Sequence, residues 1–304
     1  MKIKIGTRRS PLAMVQTRLV AALLAEAVDG VETELVPMNT RGDRSDRIAL
    51  WKIGGKGLFV QELEQALASG AIDIAVHSMK DLPADTNEAF SLGAVPVRED
   101  PRDTLIFSRR IQSIRDLPQG AVVGTSSLRR KAQLLSQRPD LVVTPLRGNV
   151  GTRMEKVEKG ECDATLLAAA GMRRLGIDPD AYCLLAGEDF IPAAGQGALA
   201  VEVRRGDEGL VDVLDHRQSR ITALSERAFV TALGADCRSA VGAYARIEDG
   251  TLTITGMVSA PNGSRIIREE ESGHPDHFED IGKKLAETCL GQGADTLLSM
   301  HPEG

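Results

Sequence analysis

Along the first third of the chain, apolar residues switch between strand-like and helix-like spacing. IKIG reads as a short strand. Leu12, Val15, Leu19 and Leu23 then recur at helical spacing, with Ser10 placed to cap and Pro11 at the first helical position. ETELVPM reads as a second strand, LFVQELEQALAS as a helix beyond a long Gly/Arg loop, and AIDIAVHS as a third strand. This βαβαβ order predicts a largely parallel sheet with helices on its faces.

The pattern then repeats. AVVGTSSLRRKAQLL echoes KIGTRRSPLAMVQTRL, and LVVTPLRGNVGTRMEKVEKGECDATLLAAAGMRRL echoes the stretch from ELVPM to AIDIAVHSMKDL. In the second copy Leu128, Ala132 and Leu135 give the helical face, with Ser126 or Ser127 as cap. Two similar α/β domains are expected, the chain crossing between them near VREDPRD and EDFIPAAGQG, with a ligand expected in the cleft between them. From Leu224 the pattern changes to a helix, three strands joined at Asp249-Gly250 and Pro261-Asn262-Gly263, and a closing helix from about Phe278. The expected domains are 1–97 with 195–214, then 101–191, and a small α+β domain, 218–304, with a three-stranded antiparallel sheet.

Composition narrows the class. At 304 residues, 42% apolar and 26% charged, the chain is large enough for sizeable cores and is neither disordered nor fibrous. A net charge of −6 with 3% aromatic residues argues against a nucleic-acid partner, RNA included. The start, MKIKIGTRRSPLAMVQTRL, superficially resembles a twin-arginine export signal, but Gln16, Thr17 and Arg18 interrupt the apolar run. No stretch approaches the ~20 apolar residues that span a bilayer, so no membrane partner is expected. The cysteines at 162, 183, 237 and 289 have neither CxxC nor zinc-like spacing; free thiols in a reducing cytoplasm and no metal are expected.

Charge placement is more informative than its total. Residues 101–160 hold twelve Lys/Arg against five acids, and arginine outnumbers lysine 27 to 10 over the chain. Arginine's planar fork suits a bidentate grip on carboxylate or phosphate. Arg129 and Arg130 fall in the first turn of a helix, where cations oppose the helix dipole by ~0.3–1 kcal/mol each unless an anion lies nearby. The same placement recurs at Gly6-Thr7-Arg8-Arg9-Ser10, along residues 145–153, and at Met172-Arg173-Arg174. Repetition at strand ends and helix starts points to a polyanionic ligand. GGKG at 54–57 lacks the spacing of a phosphate-binding Walker loop and suits a hinged lid equally well.

Two stretches carry candidate chemistry. AVHSMKDLP, residues 75–83, offers His77, Ser78, Lys80 and Asp81 at a strand end, but neighbouring His and Ser point to opposite faces, which argues against a hydrolase triad. Cys162, Cys183 and Cys289 read as packing residues. Cys237 lies in the polar loop GADCRSAVG beside Arg238, where a cation can favour the thiolate; a covalent role and an ordinary loop cysteine both remain open on these grounds.

The motifs IGTRRSPLAMVQT, GGKGLFVQELE, AIDIAVHSMKDLP, GTSSLRRKAQL, LRGNVGTR, AAAGMRRLG and PAAGQGALA, in this order and followed by the cysteine loop, resemble the porphobilinogen deaminase family over nearly the whole chain. The resemblance implies two periplasmic-binding-protein-like α/β domains followed by the small α+β domain, in a monomeric, cytoplasmic enzyme. It implies a dipyrromethane cofactor joined by a thioether to Cys237. It also implies condensation of four porphobilinogen molecules, with loss of ammonia, into a linear tetrapyrrole. Asp81 matches the family's catalytic aspartate and, with Lys80, Ser127, Arg129, Arg130 and Arg147, would contact the cofactor. Arg8, Ser10, Arg147, Arg153 and Arg174, with Gln16 and Gln196, would hold substrate carboxylates. Phe59 would pack near the cofactor, and the 41–57 loop with Lys52 and Lys56 would cover the cleft. One departure stands out: Ala235-Asp236 and Ala240 replace the glycine pair and proline usual around the cysteine, while Gly242 and Tyr244 follow as expected. The rival class is a non-catalytic two-domain polyanion-binding protein, which would leave the third domain and its cysteine unexplained.

Overall fold

The computed structural model describes residues 1–39, 60–83, 87–108, 111–236 and 239–300. Cys237, Arg238, Lys52, Lys56, Phe59 and GGKG therefore lie outside the described residues. Contacts divide the chain into two compact units, Met1–Glu99 with Gly197–Arg220, and Asp100–Gln196 with Ile221–Gly304.

In the first unit β1 (Lys2–Arg8) leads into α1 (Pro11–Ala27), then β2 (Glu32–Met38), α2 (Gln61–Ala68), β3 (Ile74–Ser78) and β4 (Phe90–Ala94). Ser10 caps α1, its Oγ accepting the Ala13 N–H at 3.3 Å. The helix buries Ala13, Gln16, Thr17, Val20, Ala21 and Leu24, which corrects the expected face of Leu12, Val15, Leu19 and Leu23 by one residue; Leu19 is exposed. The shift is possible because its polar residues are satisfied inside: Thr17 Oγ1 donates to Ala13 O, and Gln16 exchanges hydrogen bonds with Ser78.

The sheet order is β2-β1-β3-β10-β4, where β10 is Leu199–Arg204. β1 is parallel to β2 and β3, but β10 is antiparallel to both β3 and β4. The expected largely parallel sheet is thus mixed. The first-half pattern contains only the parallel strands, and the fourth member arrives from about a hundred residues further along. Ile3, Ile5, Val20, Leu24, Ile74, Val76, Val201 and Val203 share one core.

The second unit repeats this plan. Its strands are β5 (Asp103–Phe107), β6 (Val122–Gly124), β7 (Val142–Thr144), β8 (Ala164–Ala168) and β9 (Cys183–Leu184), ordered β7-β6-β8-β5-β9. β6 is parallel to β7 and β8, and β5 is antiparallel to β8 and β9. The helices are α3 (Leu128–Gln137), α4 (Val150–Glu158) and α5 (Ala169–Arg174). α3 buries Ala132, Leu134, Arg129, Arg130 and Gln133, while Leu128 and Leu135 are only half-buried, another correction to a face read from apolar spacing.

The C-terminal part packs α6 (Arg217–Ala232), α7 (Phe278–Gly291) and α8 (Ala294–Ser299) with the antiparallel sheet β11 (Val241–Glu248), β12 (Thr251–Ser259) and β13 (Ile266–Gly273). Asp249 and Gly250 both have positive φ, as a two-residue hairpin turn requires. Phe229, Ile254, Leu285 and Cys289 lie in its core. Among the described residues no helix is long and apolar enough to cross a membrane.

Candidate active site

In the first unit the candidates gather at the C-terminal ends of β1 and β3. β3 runs directly into a single 3-10 turn, Met79–Asp81. Met79 is fully buried and its N–H donates to Ala198 O at 3.0 Å, while the Leu82 N–H closes the turn onto Met79 O at 3.1 Å. With Met79 anchored inward, Lys80 is half-buried and Asp81 is exposed to solvent. His77 and Ser78 are engaged on opposite faces of the strand. His77 Nε2 lies 2.9 Å from Glu202 Oε2 in the interior, and Ser78 Oγ pairs with the Gln16 side chain at 3.1–3.2 Å. Arg8 and Ser10 follow from β1, Arg8 half-buried and Ser10 at the α1 cap.

The second unit shows what lies beside the two arginines at the start of α3. Ser127 caps that helix, its Oγ accepting the Arg130 N–H at 3.4 Å. Arg129 and Arg130 are only 4% and 6% exposed, and both turn inward onto Asp103 at the start of β5, which is wholly buried. Arg129 Nη1 donates to Asp103 Oδ2 at 2.7 Å and to Ile191 O at 2.6 Å. Arg130 donates to Asp103 Oδ1 from Nε (3.1 Å) and Nη2 (2.7 Å), and to Leu166 O from Nη1 (2.7 Å). Gln196 Nε2 adds 3.0 Å to Asp103 Oδ1 and 2.7 Å to Pro101 O. Burial alone would raise the Asp103 carboxyl, but the charges of Arg129 and Arg130 and their hydrogen bonds outweigh it and hold it well below the usual carboxylate range. The helix-start arginines thus meet an internal anion, Asp103.

Arg147 and Arg153 extend the positive region from the start of α4. Asn149 caps that helix through Thr152, and Gly148, at φ 118°, adopts a backbone conformation that L side chains rarely reach. The Gly148 carbonyl takes the Arg153 Nε at 2.8 Å. Burial, then the charges of Arg130 and Arg147, push the Arg153 guanidinium down to about 10. Every contribution to that shift among the described residues lowers it, so a desolvated cation sits among cations. Arg174, at the end of α5, is half-buried, whereas its neighbour Arg173 pairs with Asp100 at 2.8 Å.

Residues 3–212 match the family model "Porphobilinogen deaminase, dipyromethane cofactor binding domain", and residues 220–291 match the porphobilinogen deaminase C-terminal domain. A porphobilinogen deaminase of Alkaliphilus metalliredigens (strain QYMF) is 45% identical over 299 residues, covering 97% of this chain and 94% of its own. The chain belongs to the porphobilinogen deaminase family. Similar solved structures include the probable amino-acid ABC transporter extracellular-binding protein ytmK of Bacillus subtilis (TM-score 0.41, 13% identity, 70% of this chain and 88% of that one). Another is the methionine binding protein MetQ (TM-score 0.43, 15% identity, 70% and 86%).

For a porphobilinogen deaminase the donor set can be tested against the dipyrromethane that the family carries. Two pyrrole units, each bearing an acetate and a propionate, present four carboxylates. The Arg153 guanidinium, pushed down by burial and by the nearby charges of Arg130 and Arg147, is a cation that an incoming carboxylate would relieve. The residues fit. The three described cysteines do not suit attachment: burial raises the thiols of Cys162, Cys183 and Cys289, the last to about 11. Cys237 lies outside the described residues; of its flanks, the Asp236 N–H donates to Ser239 Oγ and the Ser239 N–H to Asp236 O.

Two residues escaped the sequence reading, Asp103 and Glu202. Each is an acid within an apolar strand, in DTLIF and LAVEVR, where a charged residue is expected to face solvent. A buried acid needs a partner, and both partners are distant in sequence, so local spacing carries no signal for either.

Proposed function

We propose that this chain condenses four porphobilinogen molecules head to tail, releasing ammonia at each addition, and frees the linear tetrapyrrole hydroxymethylbilane. It does so on a dipyrromethane primer joined through a thioether to Cys237. Family membership gives the reaction and the cofactor. Within the molecule, the observation that supports the reading is Arg153, a largely buried cation beside the charges of Arg130 and Arg147, suited to meet a ligand carboxylate.

Arg147 and Arg153, with Arg8 and Arg174, hold acetate and propionate groups through charge-assisted hydrogen bonds; Ser127 has a hydroxyl to donate and Lys80 a point charge. Arg129 and Arg130 share their charge between Asp103 and the cofactor carboxylates, so they shape the grip as well as join it. Gln196, bound to Asp103 and Pro101, supports this arrangement, as Gln16 supports the Ser78 end. When bound, the dipyrromethane supplies the pyrrole carbon at which the chain grows. Asp81, exposed on its turn, stabilises positive charge on a substrate pyrrole N–H. It also passes protons to the departing amine and from the ring carbon. Phe59, Lys52 and Lys56 belong, on this reading, to the cover and packing around the bound chain. The enzyme acts as a cytoplasmic monomer, with porphobilinogen as its partner.

Intact-mass measurement of the purified protein tests the proposal. An adduct of two pyrrole units is expected on the wild-type chain and not on Cys237→Ser, with a positive colour reaction in acidic dimethylaminobenzaldehyde for the wild type alone. An active wild-type chain of unmodified mass would defeat the cofactor assignment.

A further inference from the structure

The buried His77–Glu202 pair has no place in the proton handling described above, yet it lies four residues from Asp81. His77 and Glu202 are 6% and 2% exposed, on the sheet face of Ala75 and Ala200, opposite the one that carries Ile74, Val76, Val201 and Val203; Ala75 packs there with Leu63, Leu67, Ile72 and Phe90. In the β3–β10 ladder His77 stands opposite Ala200 and Ser78 opposite Leu199, where pairing ends. Glu202 is two residues from Ala200 on the same face, so the bond crosses the ladder diagonally near that end. Glu202 is also beside a break in the ladder with β4, where Gly93 is the extra residue between Leu92 and Ala94. Arg220 Nη2 takes the carbonyls of Leu92 and Gly93.

Further charged groups approach this face. Glu64 of α2 is half-buried, and burial first, then the charge of Glu202, raises its carboxyl while His77 lowers it. Arg204, the next β10 residue on this face, is occupied by Asp73, Asp207 and the carbonyls of Leu67 and Ile72. An apolar pair of similar volume would hold the sheet at least as well as a buried acid and imidazole. What the pair adds is direction: it fixes one strand end at one height against its neighbour.

We infer that His77 is a positioning residue for Asp81, its Nε2 bond to Glu202 setting the strand end from which the Met79–Asp81 turn presents the carboxyl group. The inference rests on the reading that Asp81 moves the protons of the reaction. Ties here include the Met79 N–H to Ala198 O, the Leu82 N–H to Met79 O, the Ser78–Gln16 pair and the His77–Glu202 bond. The first two are backbone bonds that any sequence could make. The last two depend on side-chain identity, with both partners buried only in His77–Glu202, and misplacement by about 1 Å near reacting groups is enough to cost up to ~10²-fold in rate.

The test compares Glu202→Gln, His77→Gln, His77→Ala and Asp81→Asn in the holoenzyme, with intact mass read first to establish cofactor loading. Glu202→Gln and His77→Ala are expected to load, to lose about tenfold or more in kcat with KM within about twofold, and to change the ring ¹⁵N signature of His77 or remove it. His77→Gln, whose amide reaches the same acceptor, is expected to recover most of kcat. Loaded Glu202→Gln and His77→Ala with wild-type kcat would overturn the inference, as would a His77→Gln no better than His77→Ala. If Glu202→Gln does not fold, the two His77 variants decide alone. Loss of turnover in Asp81→Asn beside normal Glu202→Gln sinks only the positioning role; normal turnover in Asp81→Asn sinks the Asp81 reading itself.

Discussion

Replacing Asp103 by Asn preserves the shape of the side chain and removes its charge, leaving Arg129 and Arg130 as buried guanidinium groups without their carboxylate. Breaking a buried ion pair from one side costs about 3–5 kcal/mol, because the remaining charge has neither water nor a partner. Here one carboxylate serves two arginines and Gln196, and Arg130 already repels Arg153, so the upper half of that range is expected. With a urea slope near ~3 kcal/mol per molar, the unfolding midpoint should fall by about 1–2 M. The pH dependence carries the sign. The Asp103 carboxyl is depressed in the folded state, so its contribution is complete above the unfolded value of about 3.9 and is lost as pH falls toward the lower folded value. The gap between wild type and Asp103→Asn should be constant through neutral pH and narrow below about pH 4. Urea unfolding at a series of pH values measures both. A midpoint shift under ~0.3 M at pH 7, or a gap that widens in acid, would show that Asp103 does not neutralise this pair.

Asp81→Ala should leave the fold and the cofactor adduct in place and nearly abolish turnover, read by intact mass and product formation; near-normal product would refute the assignment. Arg153→Leu should weaken binding of polycarboxylate ligands, and in the wild type that binding should hold through neutral pH and decline above about pH 10 as Arg153 loses its proton. Titration calorimetry with a tricarboxylate probe across that range would show it. Ser10→Ala removes the α1 cap at a cost of about 1 kcal/mol, seen as a lower melting temperature. Glu226→Gln should destabilise by about 1–3 kcal/mol, because the buried carboxylate accepts the N–H groups of both Gly195 and Ala245 and an amide has a single oxygen to offer.

The legible part of the fold was its repeated local grammar. β2, β3, the Ser10 cap and the three C-terminal strands are set by nearby residues, and Asp249-Gly250 names its own turn. Spacing misjudged α1 because an apolar stripe was sought where Gln16 and Thr17 are buried with partners of their own. It misjudged the sheets because strand direction for β5 and β10 is decided by distant neighbours. At the site, arginines in a first helical turn signalled a nearby anion, and the one the structure places against them is Asp103, too far away in sequence for local spacing to reveal.

The strand order also constrains how the chain is made. In each five-stranded sheet the antiparallel member sits fourth, between the parallel trio and an edge strand. β10 separates β3 from β4, so during synthesis the first sheet stays split until residue 204 has emerged, after the entire 100–196 segment. Its two parts must wait as open edges while the second sheet, whose strands end at Leu184, can already close. The second α/β half is thus able to mature before the first, against the order of translation. A nascent chain stalled with residues up to about 190 already emerged should resist protease within its second half and be cut within its first.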